Sequence, residues 1–284
     1  MAGSSFSEEN KSVWGRLYTI RHDDETLNAD TWFTVQPCRR FHYFGKQIII
    51  TQPSSTFWVY LLGVLTSVLG GYFVLQDHGQ ISRLMWGVSL LLWGIGALIA
   101  GTSYQAFGYQ LKCANRKHVA WTSWWEVIYL IFQQVSISFM LIAVAHSCLG
   151  DKGQNLAVTA GVALSAMYFV VVAIGAFKPV KLLITFELMV HFCTPVILFF
   201  IGLNAWRYWQ LSNDLDLALL GVWFGLIVTM WAFNKYQSLG LTEKLWNKGT
   251  WFSENDVLHV ALIVWVVYIA LIVQPLIRDT GTYS

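Results

Sequence analysis

Seven side chains carry most of the chemistry this sequence could do. Asn255 and His259 stand four residues apart in Trp251-Phe-Ser-Glu-Asn-Asp-Val-Leu-His259. On a helix they share one face, one turn apart. Glu187 and His191 repeat that spacing. Ser103 and Gln105 lie in Gly101-Thr-Ser-Tyr-Gln-Ala-Phe107, and Glu126 follows Trp125. Imidazole and carboxylate can move protons or hold a metal, and a hydroxyl near a carboxylate can act as a nucleophile. Amides only donate and accept hydrogen bonds. Ser103, Glu126 and His259 are therefore the candidate catalytic groups. Ser253, Glu254 and Asp256 read more simply as a helix start, with a capping side chain (Ser253 or Asn255) and two carboxylates at the positive end of the dipole. All of these groups lie in or beside long apolar runs, where an ionisable side chain is costly without a partner. Glu187 and His191 are accordingly expected to form a buried pair.

The elements that must position these groups follow from composition. The chain has 284 residues, 56% of them hydrophobic and 12% charged. A soluble domain has roughly 25% charged residues, so this is expected to be an integral membrane protein. Fifteen Trp and twelve Tyr suit aromatic belts at two interfaces. A net charge of +2 without a basic stripe argues against nucleic acid as a partner. Cys38, Cys113, Cys148 and Cys193 fit neither CxxC nor zinc-finger spacing, and no disulfide framework is expected. No cleavable leader is visible. Residues 1–50 form a polar segment with aromatic interruptions, expected to be cytoplasmic and disordered over 1–11. Within it, 31–35 and 40–44 read as strands or surface-lying stretches, and Ile48, Ile49 and Ile50 as packing on the membrane face.

Residues 51–278 read as an all-α domain of seven transmembrane helices. The apolar runs are 57–76, 84–108, 124–148, 155–177, 182–205, 215–234 and 256–276. Each is long enough to cross the hydrocarbon core. Ala157, Gly161 and Ser165 recur every four residues in the fourth run and should admit a close helix neighbour. Of the 18 Lys and Arg, only Arg83, Lys152, Arg207 and Arg278 fall on the side of the loops after the odd-numbered helices. The positive-inside rule then places the N-terminus in the cytoplasm and the C-terminus outside. With that topology Ser103, Gln105, Glu126, Glu187, His191, Asn255 and His259 all fall in the cytoplasmic third. They are expected to line one pocket open to the cytoplasm, with a structural hydrogen-bond network as the alternative. Gln133, Gln134, Ser136 and Ser138 are expected to bond between helices, and His146 to be interfacial. No GxSxG elbow, Gly-rich phosphate loop or retinal-type lysine is present.

Several of these stretches resemble the CREST superfamily, which includes alkaline ceramidases and the progestin and adipoQ receptors. The resemblance rests on Gly101-Thr-Ser-Tyr-Gln-Ala-Phe107, Trp125-Glu126 and Asn255-Asp-Val-Leu-His259, with Gln52-Pro-Ser-Ser-Thr56 similar to an uncharacterised ceramidase-like branch. It implies a seven-helix lipid amide hydrolase that holds zinc through one His on helix two and a HxxxH pair on helix seven, beside a Ser and an acidic residue. Residue by residue, Ser103 and His259 match, and Glu126 stands for the acid. Gln105 and Asn255 occupy the positions of the other two imidazoles, and an amide is a poor zinc ligand. The expectation is a bundle that kept the pocket and lost the metal, with no cofactor. It would bind a membrane lipid or amphiphile without catalysis, as a receptor-like or scaffold protein, alone, as an oligomer or with partner subunits. The alternatives are a hydrolase with a remodelled zinc site, drawing on Glu187 and His191, and a proton-coupled transporter.

Overall fold

The computed structural model describes residues 12–280. Among these residues seven helices are long and apolar enough to cross a membrane: α1 Pro53–Leu75, α2 Ile81–Ala106, α3 Trp124–Cys148, α4 Asp151–Phe177, α5 Phe186–Leu211, α6 Asp214–Ser238 and α7 Glu254–Leu276. In hydrocarbon a helix satisfies its backbone groups internally, which is why runs of this length adopt it. Most runs extend beyond their apolar limits, because caps and amphipathic turns lie outside the hydrophobic stretch. The chain is an integral multi-pass membrane protein.

Consecutive spans alternate in direction. The bundle therefore has a near end, where α1 starts, and a far end, where α2 starts. Six helices form a ring in the order α1, α2, α3, α5, α6, α7 and back to α1. α4 lies outside, against α3, and its Tyr168 ring reaches Phe192 of α5. α1 and α2 approach almost to backbone contact. Gly63 and Gly70 on α1 face Gly94 and Gly87 on α2, and a Cβ on Gly70 would fall 2.6 Å from the Leu91 nitrogen. The small residues of α4 pack as expected, with Ser165 donating to Ser138 of α3 (3.0 Å) and Gly161 lying against Ser138.

The far half of the ring is filled. Trp86, Trp223 and Phe200, all fully buried, stack across α2, α6 and α5. Beyond them Asp216 accepts from Asn204 (2.9 Å) and Arg207 (3.1 Å), while Arg207 also donates to the Cys148 carbonyl (2.6 Å). This network ties α3, α5 and α6 together. Asp279 accepts from the backbone N–H groups of Ile81 and Ser82, joining the chain after α7 to the start of α2.

The segment before α1 departs from expectation in part. Residues 32–35 form a helical turn, and β1 Cys38–Tyr43 pairs antiparallel with β2 Lys46–Thr51. Ile49 is buried in that hairpin, with its carbonyl accepting from Gln110 (2.9 Å) beyond α2, whereas Ile48 and Ile50 are half-buried. The three isoleucines are thus strand residues of a hairpin stacked on the bundle end. The expected disorder of 1–11 lies outside the described residues. The four cysteines are free.

Candidate functional site

At the near end the polar residues sort into distinct groups. α2 finishes in a π-helical turn, Thr102–Ala106, and resumes as a short helix, Gly108–Lys112. This turn places Ser103, fully buried, against the start of α3. Ser103 Oγ donates to Glu126 Oε1 at 2.8 Å and lies 2.7 Å from Ser123 Oγ. Lys112 Nζ donates to the same carboxylate oxygen at 2.8 Å. The Glu126 side chain is only 3% exposed and that of Lys112 only 11%. Two opposite charges removed from water in this way are tolerable only as a hydrogen-bonded pair. Lys112 reads in the sequence as a loop charge and was not among the candidates.

A second group joins α1 to α7. Asp256 Oδ1 accepts from Ser54 (2.8 Å) and Oδ2 from Ser55 (3.2 Å), while Ser55 and Ser253 hydroxyls lie 2.9 Å apart. Asp256 also accepts from the Ser253 backbone N–H and so closes the first turn of α7. The two sequence stretches Gln52-Pro-Ser-Ser-Thr56 and Asn255-Asp-Val-Leu-His259 therefore meet in space.

The third group faces a cavity of about 430 Å³ inside the ring, a volume typical of small-molecule sites. All six ring helices line it. On α5 the lining runs over 186–201, about 22 Å of helix at 1.5 Å per residue. The wall is apolar except for His259, Tyr129, Gln133, Thr194, Thr229 and Cys193. His259 is 7% exposed, and its ring makes no hydrogen bond to a described residue; Nδ1 is enclosed and unpartnered. Buried polar groups nearly always have a partner, so an orphan of this kind points to water or a ligand. Gln133 donates to the Trp93 carbonyl (3.3 Å), and Thr194 and Thr229 donate to backbone carbonyls of their own helices.

The expected single layer is therefore divided. Ser103 and Glu126 meet, but they lie in the ion-paired group and do not line the cavity. His259 lines it. Gln105 does not: it is buried near β2, where its carbonyl accepts from the Thr51 hydroxyl, and its side-chain oxygen is enclosed without a partner. Asn255 is half-buried in the first turn of α7 and makes no side-chain hydrogen bond among the described residues. The Glu187–His191 expectation is corrected. Both are exposed, and His191 Nδ1 lies 2.6 Å from the Glu187 backbone carbonyl, not its carboxylate. α5 stands at the ring's edge, and its inward face is taken by Phe186, Met189, Val190 and Cys193, so the polar face turns outward. Gln134 also differs from expectation, bonding Ser138 within α3 (3.1 Å), whereas Ser136 pairs with Ser89 of α2 as expected of an interhelical residue.

Among the described residues no three His, Cys, Asp or Glu side chains are grouped to share a metal ion. At the positions the resemblance matches to zinc ligands, His259 stands with two amides. This donor set does not fit zinc, which takes imidazole, thiolate or carboxylate. No family model, curated protein or solved structure matches the chain.

Proposed function

We propose that this membrane protein binds a lipid or other amphiphile in the ring cavity without chemically altering it, in the manner of a receptor or scaffold subunit. The observation that carries the reading is a hollow near half of the bundle, walled by apolar side chains, with one buried imidazole that has no partner among the described residues. Polar wall groups concentrate toward the near end. His259 and Tyr129 each lie five residues into their helices, about 8 Å along the axis. Ile137 and Ile201, beyond the level of Gln133, Thr194 and Thr229, line the deeper part. That polarity suits a head group near the end and a tail toward the midplane. The charge asymmetry favours the near end as cytoplasmic.

The non-catalytic reading is preferred over hydrolysis because Ser103, the one matched nucleophile, is enclosed and committed to Glu126 and Ser123, away from the cavity wall. The reading agrees with a CREST-like bundle that has kept its pocket and replaced two metal ligands by amides. Mass spectrometry of lipid extracted from purified protein tests it. The unaltered chain should carry a discrete lipid near one per protein, and Ala97→Trp, which fills the cavity from α2, should reduce it several-fold while the helical fold persists. Only bulk lipid in both samples would overturn the reading.

A further inference from the structure

Resting on that reading, we infer that the occupant is a long-chain molecule with an uncharged head that both donates and accepts hydrogen bonds, such as an alcohol or primary amide. It enters sideways from the near leaflet between α5 and α6. Among the described residues the wall contains no Lys, Arg, Asp or Glu. The Lys112 ammonium, near that end, is committed to Glu126. A phosphate, carboxylate or ammonium head in the cavity would thus be a buried charge without a counter-ion, which is disfavoured.

The wall's hydrogen-bonding capacity points the same way. A neutral imidazole offers one N–H and one acceptor nitrogen. The Tyr129 hydroxyl makes no hydrogen bond to a described residue. Thr194 and Thr229 have already given their protons to the Val190 and Gly225 carbonyls (2.7 and 2.8 Å) and can only accept. A hydroxyl or primary amide can answer both kinds of group at once, whereas a carboxylate only accepts and an ammonium only donates.

The route follows from where α5 and α6 are joined. Their polar ties, Asn204 and Arg207 to Asp216 and Trp223 to Asn204, all lie in the far half. Between those ties and the near end the lining residues Leu198 and Ile227, at about mid-span, are 62% and 51% exposed, and Thr194, one turn nearer the end, is exposed too, so the cavity reaches the bundle's lipid-facing surface there. Pro195 sits in α5 beside this opening. It removes the N–H that would have bonded the His191 carbonyl, which loosens the helix at that point.

The test uses the full chain in neutral-lipid nanodiscs and photoreactive long-chain probes that differ only in the head: alcohol, primary amide, carboxylate, ammonium and phosphate monoester. The alcohol and amide should crosslink to peptides spanning 194–201 and 226–230, with affinity about tenfold above the charged probes. His259→Phe should weaken the alcohol and amide several-fold and leave the charged probes as weak as before, while the chain still labels. Ile227→Trp should slow labelling without changing the head-group order. Equal or tighter binding of a charged probe to the unaltered protein, or unchanged affinity of the alcohol and amide in His259→Phe, would overturn the inference. Failure of every probe to label the wall would instead remove the cavity reading on which it rests.

Discussion

Glu126 holds the most consequential side-chain contacts at the near end. Its carboxylate serves Lys112, Ser103 and, through Ser103, Ser123. Removing one partner of a buried pair leaves an uncompensated charge, and the usual cost is about 3–5 kcal/mol. Glu126→Gln should therefore destabilise the protein by that order in thermal or denaturant unfolding, and Lys112→Met combined with Glu126→Leu should recover most of the loss, since the two charges leave together. Recovery by the double variant separates a structural pair from a site that needs either charge. Glu187→Gln is the contrast. Glu187 is exposed and unpaired with His191, so stability should change by no more than about 0.5 kcal/mol. At this scale the sequence was legible for Ser103 and Glu126, because both are costly to leave unsatisfied and topology brought them to one level. It misled for Glu187 and His191. Four-residue spacing fixes that they share a face, but not which face, and the apolar residues of α5 claimed the inner one.

Among the elements, α2 shows why Lys112 escaped a periodicity reading. Nine residues separate it from Ser103, which on an uninterrupted α-helix places the two about 180° apart. The π turn Thr102–Ala106 and the break at Phe107 change the phase, and both side chains reach Glu126. A π segment leaves no hydrophobic signature of its own, so only coordinates disclose it. The α1–α2 contact was more open to sequence reasoning. Gly63 and Gly70, and Gly87 and Gly94, are each seven apart, a spacing that keeps small residues on one stripe and lets backbones approach. The contact gives predictions of opposite sign. A Cβ at Gly94 would lie 2.6 Å from the Ser67 nitrogen, so Gly94→Ala must displace backbone and should lower stability by about 1–3 kcal/mol. A Cβ at Gly71 meets nothing within 4 Å, so Gly71→Ala should be neutral or stabilise by up to about 1 kcal/mol through helix propensity. Unfolding midpoints of the two variants decide the matter; equal losses would mean that the helices are not in this register.

For the whole molecule, seven spans were legible from run length and hydropathy because the bilayer imposes both, whereas the cavity was not. A hollow is a property of how six helices splay. Here α5 and α6 are pinned at the far end by Asp216, and the cavity lies between them and the other helices on the near side of that tie. The orientation we propose for that asymmetric bundle rests on charge. The near-end excess of Lys and Arg remains after paired residues are set aside: Lys112 is bound to Glu126 and Lys181 to Asp23 there, and Arg207 to Asp216 at the far end. Lys117 and Lys152 are exposed in the links before α3 and at the start of α4, with one span, α3, between them. In a background with the four native cysteines replaced, Lys117→Cys should react with an impermeant maleimide only after the cells are opened, and Lys152→Cys in intact cells. Labelling of both from one side would remove α3 as a span, and the reverse pattern would invert the bundle. Inversion would also move the polar end of the cavity to the outer leaflet, so this experiment fixes which leaflet supplies the occupant.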